Sequence, residues 1–368
     1  MPTKILPSTI TNTPLVVAGS PLPFYYQVVS KSIREFYFSN ITTVYHNRNS
    51  PKDIHPKLII CSHRNSAFDA YIALKEFPKA QALASIQLLN SRLMRAFFTG
   101  IPVIRKKDRA RFGINSNVFS SPSEAAIAHI KAGGDLLLFP EGSSEWGHKP
   151  LPYQRGAARI IRTLLDEGIT FDVVPVGLFY LAPDKFSSEV ELYIGENIVI
   201  PQKDNLTSRE WEQSIHQDIS LALNNISVNC PDIDSFKKAS DYAYNKKSNG
   251  SSYAESFIDY QNNLINHDDL NKNIKSNVLS SIKIWRYISF CFMFILFPIL
   301  LSALIASRFA DARNTVSFFK IIGGSLATVI WLPILFILLF ISPLSICVSL
   351  ISALIGIGII RTKGSKIC

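Results

Sequence analysis

A histidine and an aspartate, His63 and Asp69, follow an apolar run of the sequence and stand six positions apart. The run KLIIC has the length and aliphatic character of a buried strand, and polar groups at the end of such a strand usually line a site. On one helix the two side chains would point far apart, so they pair only if His63 lies in the turn before the helix. Such a pair leaves one imidazole nitrogen free as a general base. A structural histidine beside an aspartate is the alternative interpretation.

Two further predicted strands end in groups that suit a phosphate. The run GIPVIRKKD ends in consecutive cations that include Arg105 and Lys106, and the run FPEGSS follows the apolar DLLLF with Glu141, Gly142 and Ser143. Basic side chains and Gly/Ser backbone amides form charge-assisted hydrogen bonds with phosphate oxygens. Each run taken singly also fits a solvated charge cluster or a turn.

The segment from about residue 52 to 200 alternates short β-rich runs with helical stretches. The predicted strands are KLIIC, ASIQLL, IPVIR, DLLLF, DVVPVGLFY and VELYIGENIVI. One helix is predicted to begin at Ser121, which forms a capping box with Glu124, and to end before Gly133. This alternation predicts an α/β fold with a mixed, largely parallel sheet flanked by helices.

The C-terminal part of the chain is strongly apolar. No charged residue occurs from Tyr287 to Ser307 or from Ile321 to Ile360. A helix that crosses the hydrocarbon core of a bilayer needs about 20 apolar residues. The first stretch therefore predicts one crossing, and the second predicts two crossings that are broken near Pro343.

The composition excludes several classes of protein. The chain has 38 Lys+Arg and 28 Asp+Glu, a formal net charge of +10, 47% hydrophobic residues and 18% charged residues. A disordered chain is less hydrophobic, and a nucleic-acid binder this basic carries more charge, so no nucleic-acid partner is expected. The five cysteines have no CxxC spacing, so neither a disulfide framework nor a metal site is expected.

These patterns divide the chain into four predicted parts. Residues 1–50 contain an aromatic, amphipathic segment that lies against a bilayer or packs on its own domain. Residues 51–201 form the catalytic domain, 202–283 a polar, partly helical linker, and 284–368 a transmembrane region of two or three helices. The dense basic cluster before the first apolar stretch favours an integral membrane protein whose catalytic domain faces the cytoplasm, in a bacterial inner membrane or the endoplasmic reticulum.

The order of the motifs resembles that of the glycerolipid acyltransferase superfamily. Members of that superfamily carry a His-Asp box, a strand that ends in Arg, an FPEG box and a VP-containing strand. The corresponding blocks here are HRNSAFD, GIPVIRKKD, FPEGSS and VVPVGLFY, with LPYQRGAARI and KFSSEVELYIGENI after the last two boxes. The blocks cover roughly residues 40 to 200. They look most like the fungal-type glycerol-3-phosphate/dihydroxyacetone-phosphate acyltransferases and their bacterial relatives.

The resemblance implies acyl transfer from a thioester to a hydroxyl of glycerol-3-phosphate at the sn-1 position in phospholipid biosynthesis. The donor, acyl-CoA or acyl-carrier protein, is a co-substrate, and no cofactor or metal is implied. Lysophosphatidate is the alternative acceptor, in which case the product is phosphatidate. The resemblance also implies a membrane-lipid environment for the chain.

The resemblance further implies roles for individual residues. His63 takes the hydroxyl proton and Asp69 holds the imidazole. The acceptor pocket is formed by Arg105, Lys106, Glu141, Gly142, Ser143 and Arg155. Ser144 stands where the usual box has Arg, so the charge for the phosphate must come from Arg105, Lys106, Lys149 or Arg155.

Two other classes of function fit parts of the pattern. Lipases and esterases also use His and Asp, but the G-x-S-x-G nucleophile elbow is absent from the sequence. A non-enzymatic membrane lipid-binding module would account for the basic flanks of the apolar stretches. It leaves the coincidence of His63, Asp69 and FPEG unexplained.

Overall fold

The computed structural model describes residues 17–47, 55–85, 89, 92–103, 121–262 and 277–363. The strands are β1 (Asn40–Tyr45), β2 (Lys57–Cys61), β3 (Gln81–Ser85), β4 (Ile101–Val103), β5 (Leu136–Leu138), β6 (Asp172–Tyr180) and β7 (Glu189–Ile194). The helices before the apolar region are α1 (Phe24–Tyr37), α2 (Ala67–Ala73), α3 (Arg92–Phe97), α4 (Pro122–Lys131), α5 (Gly156–Asp166), α6 (Ser208–Ile226), α7 (Ile233–Ser248) and α8 (Tyr253–Gln261). The apolar region forms α9 (Asn277–Phe292), α10 (Phe297–Ser307), α11 (Val316–Ile341) and α12 (Pro343–Lys363).

The strands form one seven-stranded sheet in the order β1-β7-β6-β2-β5-β3-β4. All neighbouring pairs are parallel except β6 and β7, which are antiparallel. The carboxyl ends of β2, β5 and β6 therefore meet at one edge of the sheet. The prediction of a mixed, largely parallel sheet flanked by helices is confirmed.

Strand β2 lies near the centre of the sheet and is buried on both faces, which explains its unbroken aliphatic sequence. Ile59 and Cys61 face the core formed with α1 and α2, while Leu58 and Ile60 face the core formed with α4, α5 and α6. This alternation is the two-residue period of a strand. The sheet thus separates two hydrophobic layers and fixes the position of the turn after β2.

The predicted helix at Ser121 is confirmed as α4. The Ser121 side chain accepts from the backbone N–H of Glu124, and the Glu124 carboxylate accepts from the N–H of Ser121. The helix ends two residues before Gly133, which has a φ of +86°. Local sequence chemistry therefore determines both ends of this helix.

Three strands differ from the sequence prediction. Strand β7 ends at Ile194, before the end of the predicted run VELYIGENIVI. Strand β3 begins at Gln81, earlier than the predicted run ASIQLL, part of which lies outside the described residues. Strand β1 was not predicted, and its β-branched residues pair with β7 inside the segment expected to be a membrane-associating unit. The edge of the sheet thus extends across the expected boundary at residue 50, and the division into four parts stays a prediction.

Helices α6, α7 and α8 lie in the segment expected to be a linker, and they pack on the sheet. Helix α6 buries a stripe at intervals of four residues that fits one helical face: Trp211, Ile215, Ile219 and Leu223. Helices α7 and α8 enclose a third core with the ends of β6 and β7. The described part of this segment therefore belongs to the packed fold.

Helix α1 has one face in the core and one face exposed. The buried residues are Tyr26, Ser30, Arg34 and Tyr37. The exposed apolar residues are Phe24, Tyr25, Val28 and Phe36. The helix packs on its own domain and still presents an aromatic surface that suits the bilayer interface. The Arg361 guanidinium, near the end of α12, donates to the carbonyls of Glu35, Phe36 and Phe38 at the end of α1.

Helices α11 and α12 are long and apolar enough to cross a membrane. They are separated at Ser342, because Pro343 has no backbone N–H to continue the preceding helix, so the predicted break is confirmed. The first apolar stretch, predicted to make one crossing, is not one continuous helix. A 3₁₀ turn at Phe294–Leu296 separates α9 from α10, and Pro298 in the first turn of α10 explains the interruption.

The apolar helices pack through small residues. A Cβ at Gly323 of α11 would lie 2.4 Å from the Cβ of Ala306, and one at Gly356 of α12 would lie 2.8 Å from the carbonyl oxygen of Ser289. Such close approach of backbones is typical of helices that associate in a membrane. The outward surface carries large exposed apolar side chains such as Val329 and Phe340.

Candidate active site

His63 lies in the turn after β2, and Asp69 lies in the first turn of α2. The His63 Nδ1 is 2.8 Å from Oδ2 of Asp69. This is the arrangement that the spacing of the two residues requires. Ser66, which precedes the helix, has a φ of +50°, a strained value for a residue other than glycine. The strained turn lets the chain reverse sharply enough for the pair to form.

The Asp69 carboxylate is fully buried and has four donors. Its Oδ2 accepts from Nδ1–H of His63 and from the backbone N–H groups of Arg64 and Asn65, at 2.6 and 2.7 Å for the two backbone groups. Its Oδ1 accepts from the Tyr180 hydroxyl at 2.6 Å. Four hydrogen bonds compensate for the burial of the charge and fix the carboxylate in one orientation.

Glu141 holds the backbone of the histidine turn. Its Oε1 accepts from the N–H of His63 at 2.7 Å, and its Oε2 accepts from the N–H of Leu151 at 3.1 Å. Burial raises the pKa of the Glu141 carboxyl, and the two N–H donors oppose that effect. In the structure the glutamate of FPEG thus joins the ends of β2 and β5.

The His63 ring stacks on Phe139, with ring centroids 4.3 Å apart. Its Nε2 forms no hydrogen bond with the described residues, and 18% of the side chain is exposed. The aromatic contact and the Asp69 bond fix the ring, while Nε2 stays accessible. This geometry permits proton abstraction from a substrate hydroxyl.

Of the other predicted binding residues, Gly142, Ser143 and Arg155 form no hydrogen bond with the His63 ring in the described part of the chain. Arg105 and Lys106 follow β4, which ends at the same edge of the sheet, but they lie outside the described residues. Gly142 and Ser143 are exposed in the turn after β5, and Gly142 has a φ of +69°. Arg155 is exposed at the N-cap of α5.

Arg155 lies near helix α6. Burial first, and then the positive charge of Arg155, lower the pKa of His216 on that helix. In the described part of the chain, Arg155 makes no hydrogen bond with His63 or Asp69. Its assignment to the acceptor phosphate stays a prediction.

Tyr180 and Arg64 were missed by sequence reasoning. Tyr180 ends β6, the strand beside β2, so its place at the carboxyl end of a predicted strand was a usable signal. Arg64 is only 3% exposed, and its Nη2 donates to the carbonyl of Gly147 at 3.0 Å. Its guanidinium lies 4.5 Å from the ring centroid of Trp146. No local pattern distinguishes this arginine from a surface cation.

The turn between α10 and α11 contacts the loops at the edge of the sheet that carries His63. The Arg313 Nε lies 2.7 Å from a carboxylate oxygen of Asp184, and the Asn314 amide donates to the Ser144 hydroxyl at 2.9 Å. Ser317 donates to the carbonyl of Pro183. Ser144, which replaces the usual arginine of the FPEG box, therefore anchors a turn from the apolar region.

No family model matches the chain. It is similar to two proteins of Saccharomyces cerevisiae: 28% identical over 112 residues to glycerol-3-phosphate O-acyltransferase 1, and 30% identical over 117 residues to glycerol-3-phosphate O-acyltransferase 2. The matches cover 28% and 30% of this chain but only 15% and 16% of the two yeast proteins.

A solved structure also shows a likeness, the 1-acyl-sn-glycerophosphate acyltransferase PlsC from Thermotoga maritima. Its TM-score is 0.35 at 18% identity, and the match covers 55% of this chain and 81% of that chain. The resemblance to the glycerolipid acyltransferase superfamily, inferred from the ordered motifs, is confirmed by the sequence matches to the two yeast proteins.

Proposed function

We propose that this protein is a membrane-bound O-acyltransferase that moves a fatty acyl group from an acyl thioester to the sn-1 hydroxyl of glycerol-3-phosphate. The observation that carries the proposal is the His63–Asp69 pair, with Nδ1 of the imidazole held at 2.8 Å and Nε2 accessible. The two yeast relatives are named for the same acceptor. The sn-1 position and the choice of acceptor follow from that likeness.

The reaction uses His63 first as a base and then as an acid. Nε2 takes the proton of the acceptor hydroxyl while the hydroxyl oxygen attacks the thioester carbonyl carbon. The tetrahedral intermediate collapses, the carbon–sulfur bond breaks, and the imidazolium returns the proton to the leaving thiolate. Asp69 stabilises the imidazolium and holds its Nδ1–H. No acyl-enzyme is needed, because the thioester is already activated.

The apolar helices serve the reaction by holding the site at a lipid surface. Helices α11 and α12 anchor the chain, and the exposed aromatic residues of α1 add contact with the bilayer interface. Glycerol-3-phosphate arrives from water, whereas the acyl chain and the product partition into lipid. The domain thus faces the compartment that supplies the acceptor and acyl-CoA or acyl-carrier protein, which we take to be the cytoplasm.

The test is an acyl-transfer assay on the purified full-length protein in lipid vesicles. Palmitoyl-CoA is the donor, and glycerol-3-phosphate, dihydroxyacetone phosphate and lysophosphatidate are offered separately. We expect the highest kcat/KM with glycerol-3-phosphate and a loss of at least about 10²-fold in kcat for His63→Ala. Release of free fatty acid without acylated acceptor would instead identify a hydrolase.

A matched control is His46→Ala. His46 follows β1, which runs opposite to β2, so it lies at the other edge of the sheet and bonds to Tyr193. We expect normal turnover in this variant. Normal turnover in a folded His63→Ala protein would contradict the mechanism.

A further inference from the structure

A cavity of about 360 Å³ lies beside the catalytic pair. Tyr180, which donates to Asp69, forms part of its wall. The volume falls within the range of small-molecule sites, about 300 to 1,000 Å³. Three separate parts of the chain supply its basic groups: Arg64 from the turn after β2, Lys237 from α7 and Arg313 from the turn before α11.

Arg64 is buried with incomplete hydrogen bonding. Its Nη2 donates to Gly147, but its Nε has no hydrogen-bond partner among the described residues. A buried N–H group of a charged side chain without an acceptor costs free energy. An oxygen-rich anion in the adjacent cavity would supply that acceptor.

The positive charges of the cavity are concentrated around one aromatic ring. The guanidinium groups of Arg64 and Arg313 lie 4.5 and 5.4 Å from the ring centroid of Trp146. Within the described chain, Asp241 is the one acidic residue in the cavity wall. Asp184 pairs with Arg313 outside that wall, and Asp234 lies 3.8 Å from the exposed Lys237. Like charges held together in this way favour the binding of an anion.

We propose that this cavity binds the phosphate monoester of the acyl acceptor, through Arg64, Lys237 and Arg313. The inference rests on the proposed function, because it assigns the acceptor phosphate to a site beside His63. The FPEG box has Ser144 where the usual box has an arginine. In this site the positive charge comes instead from Arg64, in the turn after β2, and from Arg313, in the turn before α11. Guanidinium groups match phosphate oxygens in pairs, and the aromatic walls, such as Phe236 and Tyr253, exclude water around the contact.

The two outer cations give the sharpest test, since Arg64 is needed for packing. Steady-state kinetics are measured for Arg313→Gln and Lys237→Gln with glycerol-3-phosphate, lysophosphatidate and palmitoyl-CoA varied in turn. We expect the KM for the acceptor to rise about tenfold or more in each variant, with little change in the KM for palmitoyl-CoA. An equal rise for donor and acceptor would overturn the assignment. The acceptor whose KM rises identifies the source of the phosphate, a soluble ester or a lipid.

Two control variants separate charge from structure. Asp184→Asn breaks the ion pair that holds Arg313 but keeps the cation, and Lys238→Gln changes an exposed lysine next to Lys237 that does not line the cavity. Neither is expected to raise the acceptor KM. If Asp184→Asn raises it as much as Arg313→Gln does, Arg313 acts only by docking the turn and the proposal is wrong.

A binding measurement separates this inference from the proposed function. Calorimetric titration of inorganic phosphate and of glycerol-3-phosphate is carried out on the His63→Ala protein, which is not expected to turn over. We expect both to bind, and Kd to rise about tenfold when Arg313→Gln is added. If phosphate binds through Arg313 and Lys237 but the wild-type protein transfers no acyl group, the site is retained and the proposed reaction is refuted. If the wild-type protein transfers acyl groups but the Arg313→Gln and Lys237→Gln substitutions leave Kd and the acceptor KM unchanged, only the proposed phosphate site is overturned.

Discussion

Substitution of Asp69 by asparagine separates the charge of the carboxylate from its hydrogen bonds. Three donors converge on Oδ2, whereas Oδ1 accepts from the Tyr180 hydroxyl alone among the described residues. The asparagine oxygen therefore takes the place of Oδ2, and its NH₂ group points to the Tyr180 oxygen, which can accept. The imidazole keeps its tautomer and its position, but the negative charge is lost.

The magnitude follows from the geometry of the pair. When His63 takes a proton, two unit charges about 3 Å apart interact by about 5.5 kcal/mol at an effective dielectric constant of about 20. The neutral amide still accepts a hydrogen bond from His63, which contributes about 1 kcal/mol, and reorientation of nearby dipoles further reduces the loss of electrostatic stabilisation. We therefore expect a net loss of about 3 to 4 kcal/mol in transition-state stabilisation, which is a 10²- to 10³-fold lower kcat.

The assay follows thiol release from palmitoyl-CoA with a chromogenic thiol reagent at saturating glycerol-3-phosphate. Thermal unfolding of the same samples confirms that the variant is folded. Asp166→Asn is the matched control, since it removes the charge of an aspartate that pairs with Arg162 and Lys203 at the surface. We expect this control to retain full activity. A folded Asp69→Asn protein within tenfold of the wild-type kcat would refute the role of the charge.

Three further predictions concern the buried polar groups. Glu141→Gln places an NH₂ group against either the N–H of His63 or that of Leu151, so we expect the free energy of unfolding to fall by about 1 to 3 kcal/mol in chemical denaturation. Burial lowers the pKa of His129, so the unfolded state binds the proton more strongly and stability falls as the pH drops below about 6.5. His129→Gln should flatten this decrease, and an unchanged slope would contradict the assignment. Tyr180→Phe removes one donor from Asp69 and should cost about 1.5 to 3 kcal/mol of stability, with a smaller loss of kcat than Asp69→Asn.

The sequence by itself determined the features that depend on near neighbours in the chain. The pairing of His63 with Asp69 was predictable because the two residues stand six positions apart, in the turn after β2 and the first turn of α2. The capping box at Ser121 and the break at Pro343 follow from the local chemistry of a hydroxyl group and of a missing N–H. The α/β class followed from the alternation of short apolar runs with helices.

Only the tertiary structure decided the features that join distant parts of the chain. Tyr180 reaches Asp69 across 111 positions, and Asn314 reaches Ser144 across 170. Both contacts arise because the sheet order brings the ends of separate strands to one edge, and because the turn after α10 packs on that edge. Strand order and helix docking depend on burial of whole surfaces, and residue spacing within one segment does not encode them.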